Sequence, residues 1–239
     1  MYNQLRVELY KLWKSKFFYF SILGFVGLSI MIIVQLYSFG EMDLTGQQAF
    51  IRVISDTDLL FIVSLLVSYF IGNDFTNRTI TNEIRIGYSR LSVVLSRVVV
   101  VLPFAVLLYL FYAAPQVLVS GILNGFGDTI MVSDLLIRAI LFIFQVMAIT
   151  SFTALIVFWC KKAPLGMMIS TGFTLVACNV LRGFLYDNVI YQATSFYRIQ
   201  MNYRIMTSQD IIFSFVSAAV TLMAVLIATF IVFRKADLK

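Results

Sequence analysis

The sequence predicts an all-α, polytopic membrane protein. Six transmembrane helices are expected, with an amphipathic helix ahead of the first and a short polar helix between the second and third. Three observations carry this. Five stretches contain no charged residue: Phe17–Tyr37, Val98–Gly127, Ala139–Cys160, Ala163–Leu181 and Ile211–Phe233. About 20 apolar residues rising about 1.5 Å each cross a hydrocarbon core of about 30 Å. In lipid, runs of this length pair every backbone N–H and C=O as helices. Second, 61% of the 239 residues are hydrophobic and 13% are charged, about half the charged share of a soluble domain; the mean hydropathy is +0.93. Third, the basic residues collect on one side of the spans. The length leaves room for one membrane domain over 1–239 and none for a separate soluble domain.

In chain order, residues 4–16 read QLRVELYKLWKSK, with Leu5, Leu9, Leu12 and Trp13 at helical spacing and Arg6, Lys11 and Lys14 off that stripe. This is a basic amphipathic helix in the headgroup layer. It reads either as a plain interfacial anchor or as an elbow helix that also touches a cytoplasmic partner. The apolar run behind it is too long for a signal-peptide core and no small-x-small site follows, so no cleavable signal is expected. The first span covers about 17–37. Residues 38–58 form an outer loop with Glu41, Asp43, Asp56 and Asp58, read as solvated acidic chain or as a weak attraction for cationic peptides. The second span, about 57–72, is short, since Leu59–Gly72 would reach only about 21 Å.

The third span covers about 93–123 and contains Pro103 and Pro115, residues that kink helices. The fourth covers about 135–160, the fifth about 163–186 and the sixth about 211–233. With six spans both termini share a side. That side holds 13 of the 18 basic residues against Glu8, Asp74, Glu83 and Asp237, a net charge of +9, while the other carries −3. By the positive-inside rule the first side is cytoplasmic. Without the second span the later loops invert and the bias is scrambled, so the charge pattern supports that span as well.

Residues 73–97, NDFTNRTITNEIRIGYSRLSVVLSR, are the densest polar segment. Asp74 or Thr76 suits a helix N-cap; Phe75, Thr79, Ile80, Glu83, Ile84 and Gly87 follow at helical steps, and Gly87 suits a C-cap. Tyr88-Ser89-Arg90 turns the chain into the third span. By composition this is an ordinary basic loop; by periodicity it is a short amphipathic helix. Beyond the fifth span, residues 182–210 hold Arg182, Tyr186, Asp187, Tyr191, Phe196, Tyr197, Arg198, Tyr203 and Arg204. They read as an aromatic belt at the outer interface, or as an outer gate over Arg182, Tyr186, Asp187 and Tyr197.

Chemistry is excluded by what is missing. There is no histidine, the commonest general base and metal ligand. Cys160 and Cys178 read as small buried hydrophobes, neither a disulfide nor a zinc site. Span polar residues such as Gln35, Ser64, Gln116, Gln145, Thr153, Thr174 and Asn179 are uncharged, which fits interhelical hydrogen bonding better than an ion relay. No Gly-Lys pair occurs anywhere, so the chain has no P-loop to hold a nucleotide. No metal or catalytic residue is expected, and no nucleic-acid partner.

The run Asp74, Phe75, Thr79, Ile80, Asn82, Ile84, Gly87, Ser89, Arg90 and Arg97 resembles ABC-2 type transporter permease subunits, with Arg78-Thr79 where Gly-Thr is common and Arg97 where lysine is frequent. Chain length, six spans, the basic amphipathic start and the short basic tail resemble that family too. The resemblance implies that 74–90 is a coupling helix seated in a groove of a separate ATP-binding cassette ATPase. Its residues here are Asp74, Phe75, Thr79, Ile80, Glu83, Ile84, Gly87, Ser89 and Arg90. ATP and Mg then belong to that ATPase, present in two copies beside two copies of this chain. The resemblance further implies a bacterial cell membrane with both termini cytoplasmic. It also implies export of amphipathic peptides (toxins, bacteriocins, lantibiotics or phenol-soluble-modulin-like peptides) or immunity to them. Multidrug or lipid-linked export and a non-transporting anchor are the alternatives; an intramembrane enzyme or a secondary transporter lacks the residues it would need.

Overall fold

The structure is a computed structural model that describes residues 2–39, 43–127, 130–186, 188–203 and 207–234. It is helical, with no strand among the described residues. Helix α1 (Tyr2–Lys14) is separated from α2 (Lys16–Ser38) only by Ser15, whose Oγ accepts from the Phe17 amide at 3.2 Å and caps α2. Then come α3 (Gly46–Ser55), α4 (Leu60–Thr76), α5 (Thr79–Arg85), α6 (Arg90–Asn124) and α7 (Val132–Cys160). The next span opens as α8 (Ala163–Leu175), passes through a π-helical turn, Val176–Val180, and closes as α9 (Leu181–Leu185). Two one-turn helices, α10 (Val189–Gln192) and α11 (Ser195–Arg198), and a 3₁₀ turn, Ile199–Tyr203, lead to α12 (Ser208–Arg234).

Among the described residues five helices are long and apolar enough to cross a membrane: α2, α6, α7, the α8–α9 unit and α12. Helix α4 has 17 residues, and α5 follows Asn77 and Arg78 at a bend of 54°. The crossing count follows from the ends. Glu8 of α1 and the last turn of α12 both reach the start of α6, through Arg97 and Arg90. Chain ends on one side need an even number of crossings, and α4 completes six.

Helices α4, α6 and α7 form the centre. Val63, Val67 and Ile71 of α4, Val101, Ala105 and Leu108 of α6, and Val146, Ile149 and Val157 of α7 are all fully buried. Burial here means contact with other helices, because lipid is as apolar as leucine, so close packing and hydrogen bonds hold the bundle. Thr153 of α7 donates to Ser64 of α4 at 3.0 Å, and Ser64 in turn meets Thr174 of α8 at 2.8 Å. Where α4 crosses the start of α8, a Cβ on Gly72 would lie 2.6 Å from the Cα of Ala163, so only glycine permits the approach. Helix α6 runs 35 residues, helical through both Pro103 and Pro115.

At the end remote from α1, residues 46–55 correct one expectation. They are not solvated loop but helix α3, started by a Thr45–Gln48 capping box and burying Ala49, Ile51, Val53 and Ile54 against α6 and the 3₁₀ turn. The acids of that loop lie outside the helix; Asp43 and Asp58 are exposed, and burial raises the Asp56 carboxyl above its ordinary value. Glu41 lies outside the described residues.

Candidate functional site

Five charged side chains meet where α1, α4, α5 and α6 converge. Arg97, on the first turns of α6, has no exposed surface. Its Nε donates to Asp74 Oδ2 at 2.9 Å. Its two terminal nitrogens grip Glu83 of α5 in a fork, Nη1 to Oε2 at 3.0 Å and Nη2 to Oε1 at 2.9 Å. Nη2 also lies 3.4 Å from Glu8 Oε1 of α1. Lys11 closes the ring, donating to Glu8 at 2.9 Å and to both Asp74 oxygens at 3.1 and 3.2 Å. A planar guanidinium with five donors is the side chain that can hold three carboxylates from three helices at once.

The cluster carries three carboxylates against two cations. Burial is the main force on Glu8, which is 1% exposed, and it lifts that carboxyl above its ordinary value; Arg97 pulls it back, Asp74 pushes it up and Lys11 pulls it back further. Glu8 Oε2 and Gln4 Nε2 are both buried without a hydrogen-bond partner, one turn apart on the same face of α1.

Further contacts fasten the same region to the remaining helices. Arg90 Nη1 donates to the carbonyls of Phe233 and Arg234, 3.1 and 2.7 Å away, and so closes the C-terminus of α12. Phe75 packs on Phe158 of α7 and Phe233 of α12, with ring centroids 5.5 and 6.3 Å away. Helix α5 ends in a Schellman motif: the Tyr88 amide donates to Glu83 O at 3.2 Å and the Gly87 amide to Ile84 O at 3.1 Å. Gly87 sits at φ +102°, where a side chain is strained. Ser89 Oγ accepts from the Ser92 amide at 3.2 Å and starts α6.

Several sequence expectations change here. Asp74 and Thr76 do not cap a polar helix; they finish α4, and α5 starts after Arg78 in the left-handed region at φ +55° with no side-chain cap. Thr79 and Ile84 are partly buried and Ile80 is fully buried. Glu83 points inward at Arg97 rather than flanking an exposed face. What α5 and its flanks expose is Arg78, Asn82, Arg85, Ile86 and Tyr88. On α1 the expected stripe divides. Leu12 is buried and Leu5 packs on the core, while Leu9 and Trp13 are 43% and 56% exposed. The inward face of α1 is Gln4, Glu8 and Leu12. Sequence reasoning missed Glu8 as a partner of Arg97, and Lys11 as a partner of Glu8 and Asp74. The available signal was Glu8 midway between Gln4 and Leu12 at four-residue steps, and three of that side's four acids falling in two short segments.

At the opposite end, α10, α11 and the 3₁₀ turn form a cap. Tyr197 is 7% exposed and packs between Tyr186, tilted at 60°, and Tyr191, edge-to-face at 74°, with ring centroids 5.6 and 5.7 Å away. Arg182 is exposed on α9. Asp187 lies outside the described residues. The cap's ties are elsewhere. Asn202 Nδ2 donates to Gln145 Oε1 of α7 at 3.0 Å, and Arg138 donates to the Asn202 carbonyl. Ser217 Oγ of α12 donates to Ala193 O at 2.5 Å, and Arg198 lies 4.3 Å above the Phe213 ring.

A six-crossing bundle with a bent polar helix after the second crossing is the arrangement the resemblance implied. The family model described as ABC-2 family transporter protein matches residues 4–180, from α1 into the fifth crossing. The chain belongs to the ABC-2 transporter family. Curated proteins gave no match. As an ABC-2 member the chain is a multi-pass membrane protein and the permease subunit of an ABC transporter, a transport component that works with an ATP-binding cassette ATPase. Among the described residues no group of three or more His, Cys, Asp or Glu side chains is placed to hold a metal ion.

Proposed function

We propose that this ABC-2 permease is the membrane half of an ATP-driven exporter of amphipathic peptides, such as toxins, bacteriocins or antimicrobial peptides. Two copies enclose the path, and two copies of a separate ATPase hold the ATP and Mg. The observation that carries the reading is the Arg97 cluster. Through it and its neighbours, α5 is joined to α1, α4 and α6 by ion pairs, to α12 by Arg90, and to α7 by Phe75. A push on so short a helix moves the ends of those spans together, because charged and packed contacts transmit rigid-body shifts. The exposed Arg78, Asn82, Arg85, Ile86 and Tyr88 are the face offered to the ATPase, on the cytoplasmic side of a bacterial cell membrane. The exposed Leu9 and Trp13 of α1 rest in the lipid headgroups.

The second copy belongs on the side formed by α2, α4 and α8. Gly24, Gly27 and Gly172 there have no atom within 4 Å of a Cβ position, and Gln35 and Asn179 are exposed at span depth. Polar side chains in a span favour another helix or water over lipid. An uncharged, largely apolar path suits an amphipathic solute.

The test is co-purification of the tagged chain from its cell in mild detergent, followed by ATPase assay of the complex in nanodiscs with candidate peptides. A stoichiometric P-loop ATPase whose turnover rises with amphipathic peptide is the expected result. An intact complex with no ATPase, or turnover indifferent to peptides and raised by lipids or drugs, would overturn the class or the substrate respectively.

A further inference from the structure

The π turn in the fifth span and the cap above it are joined by hydrogen bonds. In an α-helix the Leu181 amide would donate to the carbonyl of Ala177; here it donates one residue further back, to Val176. The Ala177 carbonyl, deprived of that donor, accepts the phenol of Tyr191 at 3.2 Å. The next carbonyl, Cys178, accepts Gln200 Nε2 at 3.3 Å. Tyr191 is 4% exposed, so its hydroxyl needs a partner inside the protein. Both donors come from the cap, one from α10 and one from the 3₁₀ turn. A π turn inside an α-helix is uncommon and marks places where a helix does something other than span.

We infer that the π turn and the cap form a latch, in which straightening the fifth span and releasing the cap are one event. If the turn converts to α-helix, the Leu181 amide moves from Val176 O to Ala177 O, and the Val180 amide takes Val176 O. The Tyr191 hydroxyl is displaced from Ala177 and goes to water. The backbone bonds around the turn are exchanged rather than lost, which keeps the two forms close in energy, as a two-state element requires. Other ties, among them Asn202 to Gln145 and Ser217 to Ala193, hold the cap's other edges and give it pivots on α7 and α12. The cap's use as the exit gate of a permease rests on the function proposed above.

Cys178 provides the readout. It lies in the π turn, is 1% exposed, and becomes the sole thiol once Cys160 is replaced by serine. The full chain with its ATPase, in nanodiscs open to solvent on both faces, is labelled with a small water-soluble methanethiosulfonate. Tyr191→Phe keeps the edge-to-face ring contact with Tyr197 and removes only the hydroxyl; it should raise the labelling rate about fivefold, the effect of one hydrogen bond on an opening equilibrium. Gln200→Met should act in the same direction, and Tyr203→Phe, at an exposed ring on the same turn, should leave the rate unchanged. Labelling of intact complexes that is unaltered by both Tyr191→Phe and Gln200→Met would overturn the latch. ATP turnover should raise labelling of the unaltered cap. If the two variants act but turnover does not, the latch stands and its role in transport falls.

Discussion

Replacing Arg97 with methionine tests the charge cluster most severely. The arginine is fully buried and makes contacts of 2.9 to 3.4 Å with Glu8, Asp74 and Glu83. Methionine fills much of the volume and removes every donor. Three carboxylates would then face Lys11 alone, whose side chain is 31% exposed. Breaking a buried ion pair from one side costs about 3–5 kcal/mol, because the stranded charge keeps its desolvation penalty. Replacing all partners together is far cheaper, since neutral groups of similar shape leave no stranded charge. Arg97→Met combined with Asp74→Asn and Glu83→Gln should therefore recover most of the loss, leaving Glu8 paired with Lys11. The assay is unfolding in mixed micelles titrated with denaturing detergent, followed by circular dichroism. A single variant that loses less than about 1 kcal/mol, or a triple variant no more stable than the single one, would refute the reasoning.

Three further outcomes follow from the same geometry. Glu8 holds its proton more tightly folded than unfolded, so its contribution is full below the ordinary carboxylate range and is lost as pH rises through its raised value; Glu8→Gln should flatten the fall in thermal stability across that window and raise the melting temperature at pH 7. Gly87→Ala meets no atom but forces a side chain to φ +102°, costing about 1–2 kcal/mol; the bundle should stay folded by circular dichroism while transport-linked ATPase activity falls. Gly72→Ala drives a methyl group against the Ala163 backbone at 2.6 Å and should cost about 1–3 kcal/mol as α4 and α8 separate, read in the same unfolding titration.

The helices were legible because lipid imposes one period and one length on them. Five spans show directly as charge-free runs, and the sixth shows only through charge arithmetic, since α4 is short and its polar end belongs to the cluster. The Gly87 C-cap was readable from local chemistry, because only glycine takes that backbone cheaply. The pairing of Arg97 was not, because Glu8, Asp74 and Glu83 lie 89, 23 and 14 residues away and meet only once four helices are assembled. Arg97 stood out only as the last position of the ABC-2-like run and as a basic residue obeying the positive-inside rule, neither of which names its partners. Helix α3 was hidden by the acids around it, although Thr45 and Gln48 spell a capping box. The cap was visible as an aromatic-rich segment and Gln145 as a polar residue in a span, yet nothing in the sequence joins them, and the other anchors, Ser217 and the π-turn carbonyls, are an ordinary residue and backbone atoms.

The central claim is that α5 receives the push of a separate ATPase and passes it inward through Arg97. A photo-crosslinking amino acid placed at Ile86, which is 78% exposed beside α5, tests it directly; Tyr203, 72% exposed at the other end of the bundle, is the control. The account predicts crosslinks from position 86 to an ATP-binding cassette subunit, changing in yield with ATP, and none from position 203. An intact complex that crosslinks from neither position, or equally from both, would contradict it.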